Sequence, residues 1–342
     1  MVKWIDFRSD TVTLPTEKMR RLMYEAEVGD DVYGEDPTMN RLEQQAALRL
    51  GKEAALFVSS GTQGNQLAIM THTRRGDDVI VSADAHIYTH EVGAAAVLSG
   101  VNLHPLYFPQ GIFQAEQIEK AIQGKDIHQP PTGLICMENA LANGRVVPAP
   151  IMAEVYTVAQ KHHLPVHVDG ARLFNAAVAL EVDVGELSKN CDSVMCCLSK
   201  GLCAPVGSVL AGTADFIVRA RKYRKMLGGG MRQAGFLAAA GVEALENMGQ
   251  RLAEDHANAH YLAKNLAMIP GILIDPDAVQ VNMVFFEIQR PPETIIRMRK
   301  MLLAVGIKIA ADPSSVQRLV THHGIEKADI DKAVAVIAAA LA

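Results

Sequence analysis

Short apolar runs recur along the first two thirds of this chain, at Ala54–Val58, Asp78–Ser82, Leu134–Met137, Pro165–Val168, Ser193–Leu198 and Ser208–Gly212. Each has the length of a buried strand, and most are separated by stretches with helical spacing. Strands that alternate with helices predict a mostly parallel sheet with helices on its faces. Such sheets hold ligands beyond the carboxyl ends of their strands, so the residues that end each run are the ones to read for chemistry.

The run Ser193–Leu198 stops at Ser199-Lys200-Gly201, and Gly201, Pro205 and Gly207 then break the chain into a loop. A lysine at a dry strand end has a lowered pKa and can form a Schiff base with a carbonyl; the alternative is an ordinary exposed lysine at a loop start. Pro165–Val168 ends in Asp169-Gly170-Ala171-Arg172. Asp169 either caps the next helix or pairs with a cationic ring nitrogen, since a buried carboxylate needs a partner. Ala54–Val58 leads into Ser59-Ser60-Gly61-Thr62-Gln63-Gly64-Asn65 and a helix to about His72. Glycine and a helix N-terminus together make a phosphate site, although a hydroxyl cap on a βα turn is also common. Neither GxGxxG nor the P-loop motif is present.

After Asp78–Ser82, the segment Asp84-Ala85-His86 opens a helix expected to reach about Val97. His86 could stack on a flat ring or move protons, or bond to backbone at a helix start. His128, in KDIHQPP, is a second candidate. The acidic stretch VGDDVYGEDP, residues 28–37, is either a solvated loop or the border of a site with Tyr33 as an aromatic contact. No metal is expected: His163 and His167 are four apart, but Pro165 between them ends the helix.

Gly228-Gly229-Gly230-Met231-Arg232-Gln233 reads as a flexible hinge carrying an arginine. Beyond it come a helical segment around 250–268, a strand Val281–Ile288, a helix near 293–304, strands near Gly306–Ile309 and Val316–Thr321, and a helix 326–342. These predict a small α+β domain over 246–342 after a large domain over 1–245. Arg318, inside an apolar strand, must find an anion or leave the sheet face.

Over 342 residues the net charge is −5, which argues against nucleic acid as a main partner. The chain has no apolar stretch of about 18 residues, so no membrane span is expected. Five cysteines without CxxC spacing, and an N-terminus without a signal-like apolar region, predict a cytoplasmic protein.

A phosphate cup at 60–65, a ring-stacking candidate at 86, a ring-nitrogen carboxylate at 169 and an imine lysine at 200 match what pyridoxal phosphate requires: a phosphate, a flat ring, a pyridine nitrogen and an aldehyde. The motifs FRSDTVT (7–13), VGDDVYGEDPT (28–38), SSGTQGN (59–65), VHVDGARLFNA (166–176), CLSKGLCAPVGS (197–208), GGGMRQAG (228–235) and RLVTHH (318–323) resemble those of the low-specificity, pyridoxal-phosphate-dependent L-threonine aldolase family, of the aspartate-aminotransferase-like fold type I. The resemblance spans essentially the whole chain. It implies an α/β fold, with a mostly parallel, seven-stranded-type sheet flanked by helices and a small C-terminal α+β domain.

By this resemblance Lys200 carries pyridoxal 5'-phosphate, Asp169 meets the ring nitrogen, and Ser60, Gly61 and Thr62 hold the phosphate. His86 stacks on the ring, and Arg172 lies close to cofactor and substrate. Ser9 and Arg318 hold the substrate carboxylate, and His128 faces the substrate side chain. Tyr33 and Arg232 reach a neighbouring subunit's site in a homotetramer, a dimer of dimers. The implied reaction cleaves L-threonine, L-allo-threonine and related β-hydroxy-α-amino acids to glycine and an aldehyde. The base is either His86 or a water held by His128. The alternative activities are β-elimination and racemisation, and a binder without catalysis is the different class. One departure stands out: many members read Glu-Asn-Thr-His-Asn where this chain reads Glu138-Asn139-Ala140-Leu141-Ala142.

Overall fold

A computed structural model describes residues 4–124, 126–311 and 314–342 of the protein, in two compact units. One comprises Leu14–Ala142 and Val146–Gly249; the other comprises Met1–Thr13, Asn143–Arg145 and Gln250–Ala342. The expected division at 245/246 follows chain order, and the units do not. Ile5–Asp6 pairs in parallel with Ile307–Lys308, and Phe7 is fully buried in the core of the smaller unit, so the first residues group with the C-terminal ones.

The larger unit is built on seven strands: β1 Ala54–Val58, β2 Asp78–Ser82, β3 Asn102–Leu106, β4 Thr132–Glu138, β5 Val166–Asp169, β6 Ser193–Cys197 and β7 Ser208–Gly212. Their order across the sheet is β1-β7-β6-β5-β4-β2-β3. Only β7 runs antiparallel to its neighbours, β1 and β6; all other pairs are parallel. Strands β2, β6 and β7 are buried along their whole length, which is why they read as apolar runs rather than as alternating ones. The expected α/β class and mostly parallel sheet are what the chain forms. Strand β3 is absent from the sequence reading because it contains Pro105; a proline is tolerated there since β3 is the sheet edge.

The helix opened by His86 is shorter than expected. It spans His86–Thr89, and Val92 (φ 56) and Gly93 (φ 70) then adopt the left-handed conformation that a right-handed helix cannot continue. A separate π turn, Ala95–Ser99, follows.

The smaller unit has a three-stranded antiparallel sheet, in which Met283–Ile288 lies between Val316–Val320 and Ile272–Leu273. Helices Leu252–Ala267, Pro292–Ala304 and Lys327–Leu341 accompany it. Leu262, Leu266, Val284, Met298, Leu319 and Ile330 are among its buried core residues.

Candidate active site

Sheet register assembles the centre. Glu138 at the end of β4 is in register with Asp169 at the end of β5, and Asp169 with Met195 of β6. Asp169 is 2% exposed. Its Oδ1 accepts the Ala171 N–H at 3.0 Å, and its Oδ2 accepts the Asn65 amide at 2.7 Å. A Cβ on Gly170 would stand 2.7 Å from the Met195 carbonyl oxygen, so glycine is the residue that lets the chain leave β5 here.

Lys200 follows the end of β6 and is half-buried. Its loop is closed on itself. The Cys203 N–H donates to the Lys200 carbonyl at 2.9 Å, Ala204 to Leu198 at 3.0 Å, and Leu198 to Gly207 at 3.1 Å. Gly207 sits at φ +97, pressed against the Phe57 ring, where a Cβ would come within 2.3 Å.

His86 follows β2 and is held at two points. Its backbone N–H donates to Glu138 Oε2 at 2.8 Å, and its ring Nδ1 lies 2.9 Å from Glu91 Oε1. The ring also stacks on His90, with centroids 5.4 Å apart. The hydrogen bond to Glu91 raises the His86 pKa above its ordinary value; burial opposes this, the Asp169 and Glu91 charges add to it, and Lys200 lowers it. Burial, reinforced by the Asp169 charge, pushes Glu138 up to about 7, against the pull of His86 and Lys200.

Ser60 caps the helix Gly61–His72, its Oγ accepting the Gln63 N–H at 3.1 Å. Gly61 and Thr62 stand in the first turn, where helix N–H groups have no intrahelical acceptor. Arg172 precedes the helix Leu173–Ala179 and is half-buried. His128 lies in an exposed turn with its N–H on Asp126 Oδ1. Tyr33 is 76% exposed, and Arg232 is exposed and paired with Asp30 at 3.2 Å. In the smaller unit, Ser9 Oγ accepts the Thr11 N–H, and Arg318 donates to the Arg8 carbonyl at 3.3 Å. The acidic stretch 28–37 is not simply solvated: Asp31 and Asp36 are buried. Asp31 meets Arg224 at 2.6 Å, while Asp36 caps the helix Pro37–Arg49 and accepts the Gly235 N–H.

Sequence reasoning missed Asn65, Gln66, Glu91 and Glu138 as site residues. Two adjacent amides one turn into an apolar helix, and an acid five residues after a strand-end histidine, are the signals of the first three; Glu138 ends the run Leu134–Met137 and gives the same strand-end signal as Asp169. His86, Glu91 and Asp169 place ligand-type atoms within 4.8 Å of one another, a spacing that by itself suits a cation.

Pyridoxal phosphate fits these residues. Each Asp169 oxygen accepts one N–H, from Asn65 and Ala171, and a carboxyl held in this way at a strand end suits a cationic ring nitrogen. The capped helix start supplies N–H groups for a phosphate, and Lys200 an amine for an aldehyde.

The beta-eliminating lyase family profile matches residues 6–289. The chain is 44% identical to low-specificity L-threonine aldolase 1 of Arabidopsis thaliana over 96% of this chain and 94% of that one. It is 43% identical to the low specificity L-threonine aldolase of Escherichia coli (strain K12), over 94% of this chain and 95% of the relative. Among solved structures it resembles the threonine aldolase of Leishmania major, with a TM-score of 0.85 at 21% identity, covering 99% of this chain and all (100%) of that one.

Proposed function

The chain belongs to the beta-eliminating lyase family and, within it, to the low-specificity L-threonine aldolases, and from this premise we propose how its own residues work. The protein is a pyridoxal-phosphate-dependent lyase that cleaves L-threonine to glycine and acetaldehyde. When bound, the cofactor supplies an aldehyde that condenses with amines and a ring that withdraws electrons from the reacting carbon.

Lys200 is the amine that carries the cofactor, and Ser60, Gly61 and Thr62 hold its phosphate. Asp169 keeps the proton on the ring nitrogen. His86 lies against the ring and moves the proton of the substrate β-hydroxyl through Nε2, since Nδ1 is engaged by Glu91. Ser9 and Arg318 are the proposed holders of the substrate carboxylate, with Arg172, His128 and Tyr33 completing the substrate contacts. The observation that carries this reading is the buried Asp169 at the end of β5, two strands from a histidine fixed at both backbone and ring.

A homotetramer with shared sites belongs to the same proposal, supported by Tyr33 and Arg232, which are exposed on this chain. The described helices include none long and apolar enough to cross a membrane, and the five cysteines are buried and unbridged, which supports a cytoplasmic setting.

Incubation with L-threonine and separate assays of glycine, acetaldehyde and 2-oxobutyrate test the reaction. Glycine and acetaldehyde in equal amounts are expected. Accumulation of 2-oxobutyrate and ammonia would replace cleavage by elimination and leave the cofactor site standing.

A further inference from the structure

Behind Asp169 lies a row of polar groups, buried at Asn65, His167 and Ser193 and half-buried at His72, that the reaction itself does not use. Asn65, which is fully buried, places its Nδ2 2.7 Å from Asp169 Oδ2 and 2.8 Å from Glu91 Oε1. Both contacts are to carboxylate oxygens, so the amide orientation is fixed: turned over, Asn65 would set its oxygen against two anions. Its Oδ1 then accepts, and the partner 3.1 Å away is His167 Nε2, which must carry the hydrogen.

His167 is fully buried, and burial pushes it down to about 3, so it is neutral and its Nδ1 is a lone pair. That nitrogen is 2.9 Å from Ser193 Oγ, which therefore donates its single hydrogen. His72 Nε2, 2.8 Å from the same oxygen, must then be a donor as well. Every hydrogen in the row His72–Ser193–His167–Asn65 points toward the two carboxylates.

Glu91 is bound on its other side too: Gln66 donates to its Oε2 at 2.7 Å, leaving the buried Gln66 Oε1 without a hydrogen-bond partner among the described residues. Gln66 thereby leaves its own oxygen unpaired to place a second amide donor on Glu91, beside that of Asn65.

We propose that Asn65, oriented by the His167–Ser193–His72 row, is a positioning residue that ties the carboxylate behind His86 to the carboxylate assigned to the cofactor's ring nitrogen. This rests on the proposed roles of His86 and Asp169 and adds the device that sets both. The groups that face His86 are Glu91, Asp169, Glu138, Lys200 and His90. Of these, Glu91 and Asp169 share one donor. If Asn65 is lost, Glu91 keeps fewer donors and holds the proton of His86 more tightly.

The test is the titration of His86 in the cofactor-free protein, followed by the ring ¹⁵N shifts of labelled histidine and assigned with His86→Phe. Asn65→Leu, close in shape and without a donor, should raise the His86 pKa by about one unit, a tenfold gain in proton affinity. His167→Leu should shift it the same way by less, and His167→Gln, which can donate to Asn65 and accept from Ser193, should stay near wild type. In the loaded enzyme Asn65→Leu should lower kcat by about tenfold or more, with the KM for threonine within a few-fold of wild type. If Asn65→Leu does not fold, the pair His167→Leu and His167→Gln decides. An unchanged or lowered His86 pKa in a folded Asn65→Leu, or in His167→Leu if that protein alone folds, overturns the proposal. The titration needs no turnover, so failure of the threonine assay would strike the assigned reaction and leave this result separate.

Discussion

At the scale of single residues, the weight falls on Asp169. Its two oxygens each accept one N–H, from Ala171 and Asn65. An asparagine side chain in its place would offer one oxygen and one amide NH2. It would face one of those donors with another donor and lose the charge that, in the proposed role, holds a proton on the ring nitrogen. Interactions realised at developing charge are worth about 10²–10³ in kcat when one is removed. Asp169→Asn is therefore expected to lower kcat by roughly that factor, while Lys200 still binds the cofactor and the KM for threonine moves little. Steady-state kinetics on threonine checks it, and a kcat within a few-fold of wild type would remove Asp169 from this role.

At the scale of elements, the acidic segment 28–37 shows what anchors a loop that exposes Tyr33. Arg224, from the helix Ala214–Met226, is 2% exposed. It donates to Asp31 at 2.6 Å and to the Phe57 carbonyl of β1 at 2.8 Å. Glu43 accepts the Phe57 N–H at 2.9 Å and pairs with Arg221 at 2.5 Å. Arg224→Met takes the close partner from buried Asp31 and leaves it the Arg221 guanidinium at 3.9 Å, so the cost is expected below the roughly 3–5 kcal/mol of a buried pair broken outright, at about 2–3 kcal/mol. Urea unfolding should show that loss, and Arg224→Met combined with Asp31→Asn should recover part of it; a loss below about 1 kcal/mol would mean that the pair is not a structural tie.

The same segment shows the limit of sequence reading. Strand-end residues such as Asp169 and Lys200 are legible because burial forces apolar runs and the chemistry interrupts them. Asp31 looks like a solvated acid until its partner Arg224, about 200 positions away, is known, whereas Asp36 before Pro37 reads as the helix cap that it is and only its bond to the Gly235 N–H is hidden. Asn65 and Glu91 are silent for the same reason: Asn65 finds Asp169 and His167 on β5, about 100 positions away, and Glu91 finds Asn65 and Gln66 on the helix Gly61–His72, so only the folded chain brings them together. Strand β3 is hidden by a proline that its edge position makes harmless.

At the scale of the molecule, the buried titratable groups oppose one another differently in the two units. In the larger unit, burial holds His167 at about 3 and His72 at about 4. A histidine depressed in the fold contributes stability above its unfolded pKa, near 6.5, and loses it as pH falls toward the folded value. Glu138 acts oppositely. Raised to about 7 from 4.5, it binds a proton more tightly folded than unfolded, so its contribution grows as pH falls from 7 to 4.5. Glu43, raised by burial, has the same sign.

In the smaller unit, His256, which is buried, is held at about 4 and His323 is also lowered, while the opposing group is Asp255, raised from 3.8. His86, whose pKa is raised, keeps its full contribution throughout the acid range and loses it only as pH rises past the folded value. Between pH 6.5 and 4.5 Glu138 offsets one of the two depressed histidines of the larger unit and Glu43 acts in the same direction, while the smaller unit, whose opposing group Asp255 starts from 3.8, loses about 1.4 kcal/mol per pH unit for each depressed histidine not offset. Amide-exchange opening energies of the cofactor-free protein, corrected for intrinsic rates, should fall from pH 6.5 to 5 in the helix Leu252–Ala267 and fall less steeply in strands β5 and β6. Glu138→Gln, which keeps an acceptor for the His86 N–H, removes the opposing titration. It should make β5 and β6 lose more stability over the same range. Equal slopes in both units of the wild type, or no change in Glu138→Gln, would show that these buried groups do not set the acid response.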